Sequence, residues 1–333
     1  MGFFTKNRDI GIDLGTSNTL LYVKGKGILL VEPSVVAINT KSRQVLAVGE
    51  EAKNMIGRTP EGIEAVRPLK DGTIADFDLT RKMLKKFIEK VNDKGALKSS
   101  RITIAHPSGV TEVEKRAINE AIGQVGARKI MLIEEAVAAA IGSGLPVDEP
   151  IGSMIIDIGA GTTEVAVVSL QGIVISKTLR VAGDELDETI IDYVKREFNL
   201  MIGERTAENI KIQLGCVYTK SGEEENSMEV RGRDLVTGLP KCITIVDSQI
   251  REALKSPVNL IIDAIKAAIE ETPPELAADI MDNGIMLSGG GALLKGLSEL
   301  IHCETHIHVN IAENPLECVV RGAGKCLDML DKI

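Results

Sequence analysis

A chain of 333 residues exceeds what one hydrophobic core usually serves, so two domains are expected. Hydrophobic residues at 44% beside charged residues at 26% describe a globular protein with cores to bury, not a disordered chain. A net charge of −9, aromatics at 2% and no Trp argue against a nucleic-acid partner, which needs a basic footprint and stacking platforms.

The five cysteines, Cys216, Cys242, Cys303, Cys318 and Cys326, show no CxxC pairing and read as free thiols in a reducing cytoplasm. No apolar run reaches the roughly 18 residues of a membrane span, and no signal-peptide pattern opens the chain. The expected location is the cytoplasm, with attachment to a surface left open.

At the start, Phe3 and Phe4 stand beside Lys6 and Arg8. Two readings stand: a packed or loose terminus, and a peripheral membrane contact with the basic residues near headgroups. Ile10 to Asp13 then forms an apolar run ending in Asp, followed by Leu14-Gly15-Thr16-Ser17-Asn18-Thr19 and a second apolar run, Leu20 to Val23. This reads as strand, tight turn, strand. Segments Ile28 to Val31, Val35 to Asn39 and Val45 to Val48 read as further strands of an antiparallel sheet. From about 33 to 76 the chain reads as a small insertion of turns and short elements.

A helical face follows from Leu79 to Val91, and the loop Lys94 to Lys98 carries Leu97 among lysines. The strand Arg101 to Ala105, the helical face Val113 to Val125, the strand Lys129 to Ile133 and a helix through Ile141 then alternate as in a wound α/β layer. Glu134 and Glu135 sit where that last strand passes into its helix. They suit either acids complementing a helix N-terminus or a carboxylate at the ligand edge of an open α/β sheet.

The opening pattern then returns. Ile155-Ile156-Asp157-Ile158-Gly159-Ala160-Gly161-Thr162-Thr163-Glu164 leads into Val165 to Val168, with Asp157 placed 144 residues after Asp13. One such copy is commonly an ordinary glycine hairpin. Two at a domain-sized spacing point to related halves and a shared ligand. Glycines let backbone N–H groups converge on phosphate oxygens, hydroxyls add donors, and an Asp beside each turn suits hydrated Mg²⁺.

After a strand from Ile173 to Leu179, Ala182-Gly183-Asp184 opens a helix through Phe198, and about 187–246 reads as a second insertion closing with a strand pair around Thr237-Gly238. A long helix is expected from Ser248 to Glu271, then a strand from Gly284 to Leu287. Ser288-Gly289-Gly290-Gly291 follows, where a flat ligand such as a nucleobase can approach backbone. Helices from Ala292 to His302 and from Pro315 to Leu330 close the chain. His306 and His308 read as one face of a strand, and with His302 they fit no zinc spacing.

These motifs together resemble the actin, heat-shock 70 and sugar kinase ATPase superfamily, and within it the MreB/Mbl family of bacterial actins. The likeness is carried by Asp13 to Thr19, Glu32-Pro33-Ser34-Val35, Ala52 to Gly57, Arg67-Pro68, Asp71-Gly72, Ile133-Glu134-Glu135 and Asp157 to Glu164. It extends through Ala182 to Glu185, Gly203 to Glu208, Thr272 to Leu276 and Ser288 to Gly291, so it spans nearly the whole chain. Ala136 stands where the family commonly has Pro, His106 where a small apolar residue is usual, and Ala160 where Gly is common.

The resemblance implies an α/β, actin-like (ribonuclease H-like) two-domain ATPase fold with four subdomains and a central nucleotide cleft. Domain I would span 1–144, with helix 315–333 packing back on it, and domain II 145–314. ATP and Mg²⁺ are the implied cofactors. Gly15, Thr16, Ser17 and Asn18 would hold the β-phosphate side, and Gly159, Ala160, Gly161, Thr162 and Thr163 the γ-phosphate side. Asp13 and Asp157 would hold Mg²⁺ through water. Glu208 and Lys211 would approach ribose and base, with Gly289, Gly290 and Gly291 beneath the adenosine.

Glu135 and Thr162 would position the attacking water, since phosphoryl transfer depends on in-line placement and charge neutralisation. The family further implies homopolymeric filaments at the inner membrane face, working with membrane proteins of the cell-elongation machinery in peptidoglycan synthesis and rod shape. Phe3, Phe4 and Leu97 are the membrane candidates. Two alternatives belong to the same superfamily: a heat-shock 70-like chaperone ATPase, which would call for a β-rich peptide-binding domain, and a sugar kinase, for whose catalytic Asp no motif is found.

Overall fold

The computed structural model describes residues 9–91, 100–219 and 224–329. Phe3, Phe4 and Leu97 lie outside them. The first half runs β1 (Ile10–Leu14), β2 (Asn18–Val23), β3 (Gly27–Pro33), β4 (Val36–Asn39), β5 (Val45–Val48), α1 (Glu50–Lys53), β6 (Ile63–Val66), β7 (Leu69–Lys70) and β8 (Thr73–Ile74). It continues through α2 (Phe77–Val91), β9 (Arg101–His106), α3 (Glu112–Gly123), β10 (Lys129–Glu134) and α4 (Glu135–Ser143).

The second half opens with β11 (Ser153–Ile158), β12 (Thr163–Ser169), β13 (Gly172–Leu179), α5 (Gly183–Phe198), β14 (Leu200–Met201) and α6 (Glu204–Leu214). Then come β15 (Ser227–Asp234), β16 (Pro240–Val246), α7 (Asp247–Glu271), α8 (Pro274–Asn283), β17 (Ile285–Ser288), α9 (Leu297–Thr305), β18 (Val309–Ile311) and α10 (Cys318–Met329).

Two five-stranded sheets carry the molecule, ordered β10-β9-β1-β2-β3 and β13-β12-β11-β17-β18. In each, an antiparallel hairpin continues into a third antiparallel strand on one side and two parallel strands on the other. The Asp-bearing strands β1 and β11 therefore hold the same central place, and the repeated sequence corresponds to a repeated topology.

Each sheet has its own core. Ile10, Ile12, Ile102 and Ile104 pack with Leu79, Met83, Phe87 and Ile88 of α2, the apolar face read from the sequence. Ile156, Val165 and Val167 pack with Leu186 and Ile190 of α5 and Ile250, Leu254 and Ile261 of α7. A third, alanine-rich cluster lies between the sheets, where Ala136 and Ala138 to Ala140 of α4 meet Ile155, Ala166, Cys318 and Val319. Small side chains let α4 and α10 cross closely, and α10 also lies against β1, β9 and β2 of the first sheet.

The structure corrects four local expectations. Strands β4 and β5 leave the main sheet and form a separate one with β6. The helix expected from Ala292 is a 3₁₀ turn over Gly290–Leu293 followed by α9, because Gly296 at φ +80° breaks the helical path. His306, at φ +58°, ends α9, so His306 and His308 precede β18 and do not form a strand face. Helix α8, begun by Pro274 at its first position, was not foreseen after the Pro273-Pro274 stop.

Candidate functional site

The turn between β1 and β2 is held from below by Ser34. Its hydroxyl donates to Gly15 O at 2.7 Å and shares a hydrogen bond with the Thr19 hydroxyl at 2.8 Å, while its N–H donates to Ser17 O at 2.8 Å. A Cβ at Gly15 would stand 2.7 Å from Asn18 O, so the turn closes only with glycine there. Asn18 begins β2. The Glu32-Pro33-Ser34 stretch, part of the resemblance motif, is thus a brace for the first turn.

The turn between β11 and β12 is closed by Gly159 N–H donating to Thr162 O at 2.9 Å. Helix α5 docks on it: Gly183 N–H donates to Gly159 O at 3.1 Å and Asp184 N–H to Ala160 O at 2.8 Å. These satisfy N-terminal donors that the helix itself cannot. Thr163 is buried and gives its hydroxyl to Val181 O at 2.7 Å. Its side chain is therefore structural in this arrangement, whereas Thr162 is partly exposed.

The two turns face one another. A Cβ at Gly161 would lie 2.6 Å from Thr16 Oγ1, so the backbone of the second turn packs directly against the Thr16 side chain of the first. A third turn, Asp71-Gly72 between β7 and β8, touches both. Gly72 N–H donates to Thr16 Oγ1 at 3.1 Å, and a Cβ at Gly72 would lie 2.9 Å from Thr162 Cγ2.

Four carboxylates gather beneath the turns. Asp13 and Asp157 are the next-to-last residues of β1 and β11, Glu164 follows on β12 and Glu135 begins α4. Burial, then the charge of Asp157, pushes the Asp13 carboxyl up to about 7. Burial raises Asp157 to about 6 against a hydrogen bond from Ser288. Glu164 rises to about 7, again chiefly by burial, and Glu135 rises well above its usual range through burial and then Glu164, Asp13 and Asp157. Every charged neighbour in this set is negative, so the protein alone leaves the site short of positive charge.

Those residues fit a hydrated divalent cation. Asp157 Oδ1 is buried without a hydrogen-bond partner, which is costly unless something outside the protein meets it. Among the described residues no three His, Cys, Asp or Glu side chains converge for direct ligation. Such a set suits Mg²⁺, which retains waters and takes phosphate oxygens with one or two carboxylates.

The residues assigned to the nucleoside side lie on α6 and after β17. Lys211 is engaged by Gly183 O at 2.8 Å and Asp187 Oδ2 at 2.9 Å, and Glu208 pairs with Lys53 of α1 at 3.5 Å. A second pair, Arg67 with Glu204 at 3.4 Å, also joins the 33–76 insertion to α6. Two of the three glycines have a packing reason: a Cβ would stand 2.3 Å from Ile158 O at Gly289 and 2.2 Å from Ile158 Cγ2 at Gly291. Gly290 meets only the Leu316 side chain, at 3.2 Å.

Sequence reading missed Ser108 and the part played by Glu164. Glu164 is fully buried and accepts hydrogen bonds from both the N–H and the hydroxyl of Ser108, across the two sheets. A buried Glu inside a run of Thr and Val is the one sequence sign of this, since such a group needs partners.

A duplicated sheet, with an Asp-bearing hairpin at the centre of each copy and the two turns opposed, defines an actin-like protein. A family model described as MreB/Mbl protein matches residues 7–333. The chain is 52% identical over 326 residues to the cell shape-determining protein Mbl of Bacillus subtilis (strain 168), covering 98% of this chain and 97% of that one. It is 52% identical over 330 residues to the cell shape-determining protein MreB of Escherichia coli (strain K12), covering 98% and 94%. The crystal structure of MreB 5 of Spiroplasma citri bound to AMPPNP superposes with a TM-score of 0.94 at 38% identity, covering 98% of both chains. The chain belongs to the MreB/Mbl family.

Proposed function

We propose that the protein is a cell shape-determining ATPase that binds ATP with Mg²⁺ between its two hairpin turns and assembles into filaments. The observation carrying this is the opposed pair of turns over Asp13 and Asp157, with Asp157 Oδ1 lacking a protein partner. Support comes from the relatives named as cell shape-determining proteins and from MreB 5 of Spiroplasma citri, solved with AMPPNP and with ADP.

In this reading the backbone of Gly15 to Asn18 holds the β-phosphate side, and that of Gly159 to Thr163 the γ-phosphate side. Asp13 and Asp157 hold Mg²⁺ through water, and when bound the ion neutralises charge developing on the phosphates. Glu135 and Thr162 orient the attacking water, and Glu135, held in a buried and negatively charged setting, is suited to take up its proton. Glu208 and Lys211 serve the ribose and base, and Gly289 to Gly291 line the adenosine. Domain I spans 1–144 with α10 packed against it, and domain II spans 145–314.

A ligand touching both sheets favours the arrangement it bridges best, so triphosphate and diphosphate favour different longitudinal contacts between copies. The polymers then attach to the inner membrane face through Phe3, Phe4 and Leu97 and organise peptidoglycan synthesis with membrane proteins of the elongation machinery. No helix among the described residues is long and apolar enough to cross a membrane.

Sedimentation with ATP and Mg²⁺, with and without anionic liposomes, tests the reading. Wild type is expected to pellet as ordered polymer and release phosphate, and Glu135→Ala to pellet without releasing it. Absence of polymer across nucleotide, salt and lipid conditions would overturn it.

A further inference from the structure

Glu164 has a position that the hydrolytic assignment above does not use. In the register of the second sheet it shares one row with Ser288, Asp157 and Thr178, so its side chain leaves the sheet on the face of Asp157. There it meets the loop after β9. Ser108 donates its N–H to Oε1 and its hydroxyl to Oε2 at 3.3 Å, and the Thr178 hydroxyl donates to Ser108 O at 3.2 Å. Two neighbouring strands of one sheet thus grip a loop of the other.

The same carboxylate reaches α4. That helix starts at Glu135 with Glu134 as its N-cap, and the Glu134 side chain makes no capping hydrogen bond. The first N–H groups of a helix have no partner within it, and a carboxylate is the favoured group to meet them. The Ala136 N–H, next in the chain after Glu135, faces Glu164 closely enough to hold its carboxyl down against the rise that burial causes. A carboxylate of the opposite sheet therefore stands at the start of α4. Both Glu164 oxygens are occupied by protein donors, unlike Asp157 Oδ1, so Glu164 acts through what it holds.

We propose that Glu164 is a positioning residue for hydrolysis: by holding the Ser108 loop, which follows the strand paired with the one that ends at Glu134, and by facing the start of α4, it sets Glu135 against the second phosphate turn when the sheets are closed. This rests on the ATPase reading of the preceding subsection. Ser108 and Ala136 come from the first half of the chain and Glu164 from the second, so the contact exists only while the two are apposed. Glu135 is thereby in place only in the closed arrangement.

The test compares Glu164→Ala, Glu164→Gln and Glu135→Ala for Mg-ATP affinity by calorimetry and for phosphate release in a single turnover. Glu164→Ala is expected to bind within about threefold of wild type and to release phosphate about 10- to 100-fold more slowly, the pattern of a misplaced catalytic group. Glu164→Gln keeps a carbonyl acceptor for the Ser108 N–H and is expected to recover most of the rate. A Glu164→Ala rate within about twofold of wild type overturns the proposal, as does a Gln variant as slow as Ala with affinity lost in parallel.

Should Glu164→Ala fail to fold, Glu164→Asp decides. It keeps the charge but withdraws by one methylene, so it must bind normally and turn over slowly, and a rate within about twofold of wild type overturns the proposal. Glu135→Ala separates the two readings. No phosphate release from wild type sinks the ATPase reading itself, unchanged hydrolysis in Glu135→Ala sinks the role of Glu135 and with it this proposal, and an inactive Glu135→Ala beside fully active Glu164 variants sinks only the positioning role.

Discussion

Gly142→Ala and Gly322→Ala test whether the close crossing of α4 and α10 sets the geometry of the site. A Cβ at Gly322 would stand 1.8 Å from Ala138 O, and one at Gly142 would stand 1.8 Å from Cys318 O. A carbon and a carbonyl oxygen settle at about 3.3 Å, so each methyl must push the helices about 1.5 Å apart. The obstructing atoms are backbone and cannot swing aside.

Overpacking of this kind costs about 1–3 kcal/mol or more, and the better helix propensity of Ala returns about 1 kcal/mol. With backbone on both sides the upper end applies, leaving a net loss of about 2 kcal/mol for each variant. That corresponds to a thermal midpoint lower by about 4–8 °C. Because α4 begins at Glu135, phosphate release should also slow by about 100-fold for a displacement near 1 Å. Gly123→Ala is the control: it ends α3 with only Ile130 Cδ1 at 3.9 Å, and should be neutral or slightly stabilised. Wild-type midpoints for Gly142→Ala and Gly322→Ala would refute the reasoning.

Three further outcomes are expected. Asp13, Asp157 and Glu164 have folded pKa values raised to about 7, 6 and 7, so their contribution to stability is present below pH ~4 and lost as pH rises through ~6–7. The nucleotide-free protein should melt progressively lower across that window, and Mg-ATP should flatten the trend in calorimetric scans; a midpoint rising with pH there would contradict it. Asp9 receives the Arg101 N–H at 2.9 Å and its guanidinium as well, so Asp9→Ala should destabilise by about 1–3 kcal/mol in urea titrations, and no change would count against that anchor. Glu204→Ala breaks an exposed ion pair across the cleft and should change ATP dissociation by no more than about threefold in stopped flow; a tenfold change would make the pair more than a surface contact.

What could be read from the sequence was local. The hairpins around Asp13 and Asp157 are legible because turn chemistry fixes Gly, Thr and Asp within ten residues, and the faces of α2, α5 and α7 because 3.6-residue spacing is local too. The grip of Glu164 on Ser108 joins residues 56 apart on different sheets, and no spacing rule reaches across that distance. The glycines at 142 and 322 look like weak points in helices until α4 and α10 are seen to cross. Gly289 and Gly291 invited a ligand reading, yet their Cβ directions are filled by Ile158. Gly296 stops a helix whose apolar pattern runs through it, since backbone at φ +80° overrides side-chain periodicity.

The most direct test of the account is calorimetric titration of the purified chain with ATP, in Mg²⁺ and then in EDTA. One site per chain, markedly weakened by removal of the metal and by Asp157→Asn, is the result that opposed turns over Asp13 and Asp157 predict. No ATP binding, or binding indifferent to Mg²⁺ and to Asp157, would contradict the proposed clamp.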